Sequence, residues 1–138
     1  MKTPADRRAI VAVDLGAQSC RVSLLRWLPD GPSLQLVHRV ANAPVASGGH
    51  LHWDLSLLCS TADEGMRRCA AVATEGIAAV GVTGWAVDYV RLYGSFANAS
   101  SDSERLSPIA DPFCYRDPRT GPAMEALHAK IPAERLYA

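Results

Sequence analysis

Apolar and polar residues alternate or cluster along this chain in a way that marks out strands before anything else. Ala9 to Leu15 is almost continuously apolar, as a strand buried on both faces should be. Arg21 to Leu28 reads as a second strand and Ser33 to Ala41, which alternates, as a third. Gly16 to Cys20 forms the first turn. Pro29-Asp30-Gly31 forms the second, because Pro presets φ and Gly tolerates positive φ. Three strands joined by short turns predict an antiparallel meander. His50 to Trp53 is a short extended piece, and Asp54 is placed to cap a helix N-terminus. Leu55, Leu58, Ala62, Met66, Cys69 and Ala73 then recur at spacings of three and four. That is one apolar helix face, and it runs to about Glu75 with Gly76 as the C′ residue. Ile77 to Thr83 reads as a strand, Tyr89 to Tyr93 as another and Phe113 to Tyr115 as a short one. Gly94 to Asp111 is a long polar connection, with its most polar stretch from Asn98 to Arg105 expected to be a solvated loop. Pro122 opens a helix through about Lys130, and Pro132 opens a further turn. The order β-β-β-α-β, followed by β and α, predicts an α/β layer architecture with a mixed sheet.

Composition narrows the class. The 138 residues carry 14 basic and 14 acidic side chains, a formal net charge of zero, and 49% are hydrophobic. Length predicts about one domain. Such a chain has the apolar content to fold, unlike a disordered one. A zero balance argues against a general nucleic-acid or anionic-membrane binder, whose affinity rests on neutralising phosphates. The apolar run at Ala9 to Leu15 is too short for a membrane span and lacks the features of a secretory leader. Cys20, Cys59, Cys69 and Cys114 form no C-x-x-C pair, so reduced thiols in a cytoplasmic protein are expected.

The candidate chemistry starts at Asp14-Leu15-Gly16. A carboxylate at a strand end, followed by a tight turn, sets a negative charge beside several backbone N–H groups. Successive amides in a turn form an anion-binding concavity. Gly16 permits close approach, Ser19 adds a hydroxyl and Arg21 a positive charge. A turn that cradles phosphate while a nearby Asp organises Mg²⁺ through water is chemically coherent. A plain strand-to-turn junction uses the same residue types. His50 and His52 alternate and share a face if they lie on a strand. Metal binding and simple packing both remain open for them, with no third ligand evident in the sequence.

The stretch A-V-D-L-G-A-Q-S-C-R-V resembles the phosphate-binding opening of actin-like, ribonuclease-H-like ATPases. Three further stretches follow in order: Gly49-His50-Leu51-His52-Trp53-Asp54, Gly84-Trp85-Ala86-Val87-Asp88-Tyr89-Val90 and Cys114-Tyr115-Arg116-Asp117-Pro118-Arg119-Thr120. Together they resemble the FGGY family of carbohydrate kinases, over residues 9 to 138. The resemblance implies an actin-like half-domain, the N-terminal fragment of a kinase that uses ATP and Mg²⁺ to phosphorylate a small ketose, with the fragment alone expected to be inactive. It implies that Asp14, Gly16, Ala17, Gln18, Ser19, Cys20 and Arg21 form the ATP-phosphate turn, with Asp14 acting on Mg²⁺. It implies that Trp85, Ala86, Asp88, Asp117 and Arg119 line the sugar side. Asp88 also reads as an ordinary polar strand residue, and Trp85 and Tyr89 also read as core. Arg116 and Arg119 around Asp117 also read as a surface ion-pair network. Family members carry Gly at the position of Cys20, where a positive φ would strain a cysteine. The same resemblance places residues 1 to 8 in a disordered tail and 9 to 138 in a partial N-terminal domain. No catalytic Asp is assigned within it, because the family's proton acceptor lies later in the first domain. An incomplete domain would leave core surface exposed and favour self-association. A non-catalytic interaction module of the same fold is the alternative, and an actin- or chaperone-like ATPase shares the turn but not the Trp85 and Asp117 stretches.

Overall fold

The computed structural model describes residues 6–93 and 107–136 and divides into two compact units. The first comprises residues up to Pro44 together with Asp54–Val87. Its sheet contains β1 (Ala9–Leu15), β2 (Ser19–Leu28), β3 (Gly31–Ala41) and β6 (Ile77–Gly84), ordered β3-β2-β1-β6. β1 pairs antiparallel with β2 and β2 with β3, while β6 returns parallel to β1. The return is made by helix α1 (Leu55–Val72). This is the mixed α/β sheet with a leading meander that the sequence predicts.

One face of the sheet forms the core. Ala9, Val11 and Val13 of β1 sit beside Val22 and Leu24 of β2, all buried, and Cys69 and Ala73 close over them. Alternation puts Ile10, Ala12, Asp14 and Arg21 on the opposite face, away from α1. The line of α1 that enters the core runs through Leu58, Thr61, Gly65 and Cys69. Thr61 and Gly65 break the apolar spacing seen in the sequence, so the buried stripe is rotated from the expected one. Gly65 is there because the helix touches the sheet closely: a Cβ on it would lie 2.3 Å from Cγ2 of Val22. Asp54 caps α1, its Oδ1 accepting from the amide of Leu57 at 2.8 Å. α1 ends at Val72, earlier than Glu75. Gly76 (φ 83°) is therefore not its C′ residue. It turns the chain into β6 and accepts from the amide of Ala9.

β6 carries the core face of the sheet beyond the helix. Val80 and Val82 lie in register with Val11 and Val13, yet are 50% and 68% exposed. Among the described residues no strand pairs with the outer edge of β6.

The second unit comprises Val45–Trp53 and Asp88 onward. β4 (Val45–Ser47) and β5 (His50–His52) form a hairpin that the sequence reading missed in its first half. Gly48 and Gly49 both have positive φ (59° and 81°), the conformation a two-residue primed turn requires. Tyr89–Tyr93 and Phe113–Tyr115 are not strands. Each contributes one isolated bridge, Leu92 to Pro108 and Phe113 to His52. Pro108 has no N–H to extend a ladder, and the amide of Asp117 turns back onto the carbonyl of Cys114. A 3₁₀ turn (Pro118–Thr120), α2 (Gly121–His128) and α3 (Ala133–Leu136) follow. Of the expected tail, residues 1–5 lie outside the described residues, and Arg8 binds back to Asp6. The expected loop at 98–105 also lies outside them. No helix among the described residues is long and apolar enough to cross a membrane.

Candidate functional site

The predicted phosphate turn is built at the end of β1 by the antiparallel register. Asp14 faces Arg21 across the β1–β2 pair, and Thr83 of β6 flanks it on the other side. The Asp14 carboxylate and Arg21 guanidinium meet at 2.6 Å, each side chain partly exposed. Such a pair contributes little to stability, about 0–1 kcal/mol, so its consequence is a fixed pair of charges beside the turn. The amide of Gly16 donates to the carbonyl of Ser19 at 3.2 Å and closes the turn. A Cβ on Gly16 would lie 2.7 Å from that same oxygen, so the closure tolerates only glycine. Among the described residues, the amides of Ala17 and Gln18 are not spent on backbone bonds.

Ser19 and Cys20 are buried rather than open at the turn. Cys20 lies in β2 on the core face and has no positive φ, so the strain anticipated for a cysteine there does not arise. Burial pushes its thiol pKa up, and the Asp14 charge adds to the effect.

Asn42 holds the turn from behind, and the sequence reading missed it. Its amide donates to the carbonyl of Gln18 at 2.9 Å and its Nδ2 to the carbonyl of Gly16 at 3.0 Å. It is 5% exposed, and its Oδ1 is buried without a partner among the described residues. The one available signal was a lone Asn just beyond a strand, which is too common to single out. Two carbonyls turned back toward Asn42, with the Ala17 and Gln18 amides left unspent, suit a phosphate better than a cation.

Trp85 and Ala86 leave the parallel strand β6 at the same sheet end as the turn, since Leu15 is in register with Gly84. Crevices outside the carboxyl ends of parallel strands are where α/β sheets bind ligands. Trp85 is half-buried and Ala86 exposed. Val87 beside them has φ 74°, a strained conformation for a β-branched residue.

The remaining candidates lie in the second unit and are held by protein groups there. Asp88 Oδ2 accepts from the indole N–H of Trp53 at 2.6 Å, and Trp53 is fully buried. The Asp117 carboxylate is buried. It accepts from the amide of Leu51 at 2.7 Å and that of Arg119 at 3.0 Å, with His50 Nδ1 at 3.3 Å. Burial pushes the Asp117 carboxyl up, but the two amides and His50 outweigh it and hold the pKa at about 2. The Arg119 guanidinium lies 4.0 Å from the centre of the Phe113 ring and 3.6 Å from Asp117. Asp117 thus joins β5 to the 3₁₀ turn, a role that a motif in the sequence does not distinguish from ligand contact. Among the described residues no group of three or more His, Cys, Asp or Glu side chains is arranged to hold a metal.

No family model matches the chain. Curated relatives do. It is 34% identical over 126 residues to a rhamnulokinase of Bacteroides thetaiotaomicron, covering 91% of this chain and 24% of that protein. It is 36% identical over 132 residues to a rhamnulokinase of Pectobacterium atrosepticum, covering 93% and 24%. It is 30% identical over 130 residues to a rhamnulokinase of Lactiplantibacillus plantarum, covering 94% and 24%. The chain therefore spans about a quarter of the length of these relatives. The mixed sheet with its leading meander agrees with the half-domain fold expected of such a kinase. Over nearly all of its own length, this chain is a homologue of one segment of the rhamnulokinases.

Proposed function

We propose that the chain serves as the phosphate-binding segment of an ATP-dependent sugar kinase acting in the cytoplasm. The reaction is transfer of the ATP γ-phosphoryl group to a hydroxyl of a small ketose such as L-rhamnulose. The observation that carries this reading is the Gly16–Gln18 turn, with unspent amides flanked by Arg21 and Asp14 and held by Asn42. In it, the amides of Ala17 and Gln18 donate to phosphate oxygens, and Arg21 adds charge that neutralises them. Mg²⁺ would be held through water by Asp14, whose carboxylate is shared with Arg21. Mg²⁺, when bound, neutralises charge on the transferring phosphoryl group. Trp85 and Ala86 contribute part of a sugar wall. No proton acceptor is assigned to these residues, so the chain by itself should not turn over.

The test uses a chimera in which this chain replaces the matching segment of the Bacteroides thetaiotaomicron protein. The chimera should phosphorylate L-rhamnulose, and Asp14→Asn should lower its kcat by about 100-fold, roughly 2.7 kcal/mol of barrier. The sugar KM should stay nearly unchanged. Wild-type kcat in Asp14→Asn would overturn the phosphate-turn assignment, and turnover by the chain alone would overturn the segment reading. The exposed core face of β6 favours a second reading, a non-catalytic interaction module of the same fold. A folded chimera with no activity would support it.

A further inference from the structure

The turn between β1 and β2 is only half closed as a hairpin. A two-residue hairpin loop is ordinarily flanked by a residue pair that exchanges two backbone bonds. Here the amide of Gly16 donates to the carbonyl of Ser19 at 3.2 Å, but among the described residues the return bond from the Ser19 amide to the Gly16 carbonyl is not made. The side chain of Asn42 takes its place, Nδ2 donating to the Gly16 carbonyl at 3.0 Å. Nor does β3 use the Ser19 amide. The amide of Asn42 donates to the carbonyl of Gln18, which makes Ser19 and Ala41 a non-hydrogen-bonded pair of the antiparallel ladder. A trans peptide points its N–H opposite to its C=O. Drawing the Gly16 carbonyl to Asn42 therefore turns the Ala17 N–H away from Asn42, and the bond to the Gln18 carbonyl does the same for the Ser19 N–H. The main-chain bond from position 42 is open to any residue but proline. The bond from Nδ2 depends on asparagine, and it leaves Oδ1 buried without a partner among the described residues. A residue retained for packing alone gains nothing from a buried acceptor that has no donor.

We propose that Asn42 is the positioning residue of the phosphate turn: it competes with the Ser19 amide for the Gly16 carbonyl, and so keeps that amide, with those of Ala17 and Gln18, available to a polyphosphate. Without Nδ2 the Gly16 carbonyl falls back on the Ser19 amide, the hairpin closes and one donor is lost to the ligand. Asn42 itself touches no phosphate oxygen and acts through the backbone it holds. The proposal rests on the phosphate-turn reading above.

The experiment is titration of the full chain with sodium tripolyphosphate, followed in ¹H–¹⁵N spectra. In the unsubstituted chain the amides of Ala17 and Ser19 should shift saturably, and the side-chain amide of Asn42 should not. Asn42→Leu, of similar size, removes Nδ2 and the unpartnered Oδ1 together. It should weaken tripolyphosphate binding by about 10-fold, the worth of one hydrogen bond to a charged group. Its Ser19 amide should not respond to the titration and should be protected from hydrogen exchange, while its thermal midpoint stays within about 5 °C of the unsubstituted chain. A lower midpoint with unchanged affinity would make Asn42 structural and overturn the proposal, leaving the phosphate-turn reading intact. So would a Ser19 amide that stays silent in the unsubstituted chain while Ala17 and Gln18 respond, a result that stands even if the variant fails to fold. No response at any of the three amides would overturn both.

Discussion

Replacing Gly65 with alanine should destabilise the fold, although the same change in a solvent-exposed helix would stabilise it. Exposed, the substitution gains about 1 kcal/mol, because glycine loses more backbone freedom on entering a helix. At Gly65 the new methyl would lie 2.3 Å from Cγ2 and 2.5 Å from Cβ of Val22. Ordinary contact begins near 3.4 Å, so α1 must retreat from β2 by about 1 Å. That retreat loosens the contacts of Leu58, Thr61 and Cys69 on the same helix line. A gap of this size forfeits up to half of each dispersion well. Overpacking of a tight site costs roughly 3 kcal/mol at the upper end of its usual range. The net is a loss of about 2 kcal/mol. Urea unfolding followed by circular dichroism reads this directly. With a slope near ~2 kcal/mol/M, the midpoint should fall by about 1 M while the slope holds. Ala70→Gly, on the exposed side of the same helix, should cost about 1 kcal/mol and calibrates the propensity term. A midpoint that rises in Gly65→Ala would show that α1 does not bear on Val22 through Gly65.

Other perturbations test other parts of the fold. The Asp117 carboxyl, with a folded pKa of about 2 against ~3.9 unfolded, contributes stability that is full above the unfolded value and lost as pH falls toward 2. Thermal melts from pH 7 to 2 should show Asp117→Asn less stable near neutrality and less sensitive to acid across that window; an unchanged acid profile would refute the role. Val87→Gly should raise stability by about 1 kcal/mol in the same urea assay, since relief of a strained φ exceeds the entropy that glycine costs. Loss of stability there would show that the Val87 side chain is needed. The chain should associate through the open face of β6, and Val82→Lys should shift it toward monomer in sedimentation velocity; equal association in both would place the contact elsewhere.

The sequence by itself determined the elements whose signals are local. The meander is legible because alternation and the Pro29-Asp30-Gly31 turn speak for themselves over long strands. Asp54 is legible as a cap because its bond reaches only to Leu57. The tight turn after β1 was marked by Asp14 and Gly16, and the resemblance rests on motifs that survive as contiguous runs. Tertiary structure decided whatever depended on a partner far along the chain. Tyr89–Tyr93 has strand composition but gains no ladder, since strand propensity is realised only against a neighbour. Gly65 and Thr61 look neutral in one dimension and enter the core because Val22 leaves room for nothing larger at Gly65. Asn42 braces a turn some 26 residues earlier, and Asp117 binds Leu51 across 66, separations that no local pattern encodes. Those distant hydrogen bonds are what give otherwise ordinary polar residues their roles, because a buried polar group is fixed by whichever partner the fold brings to it.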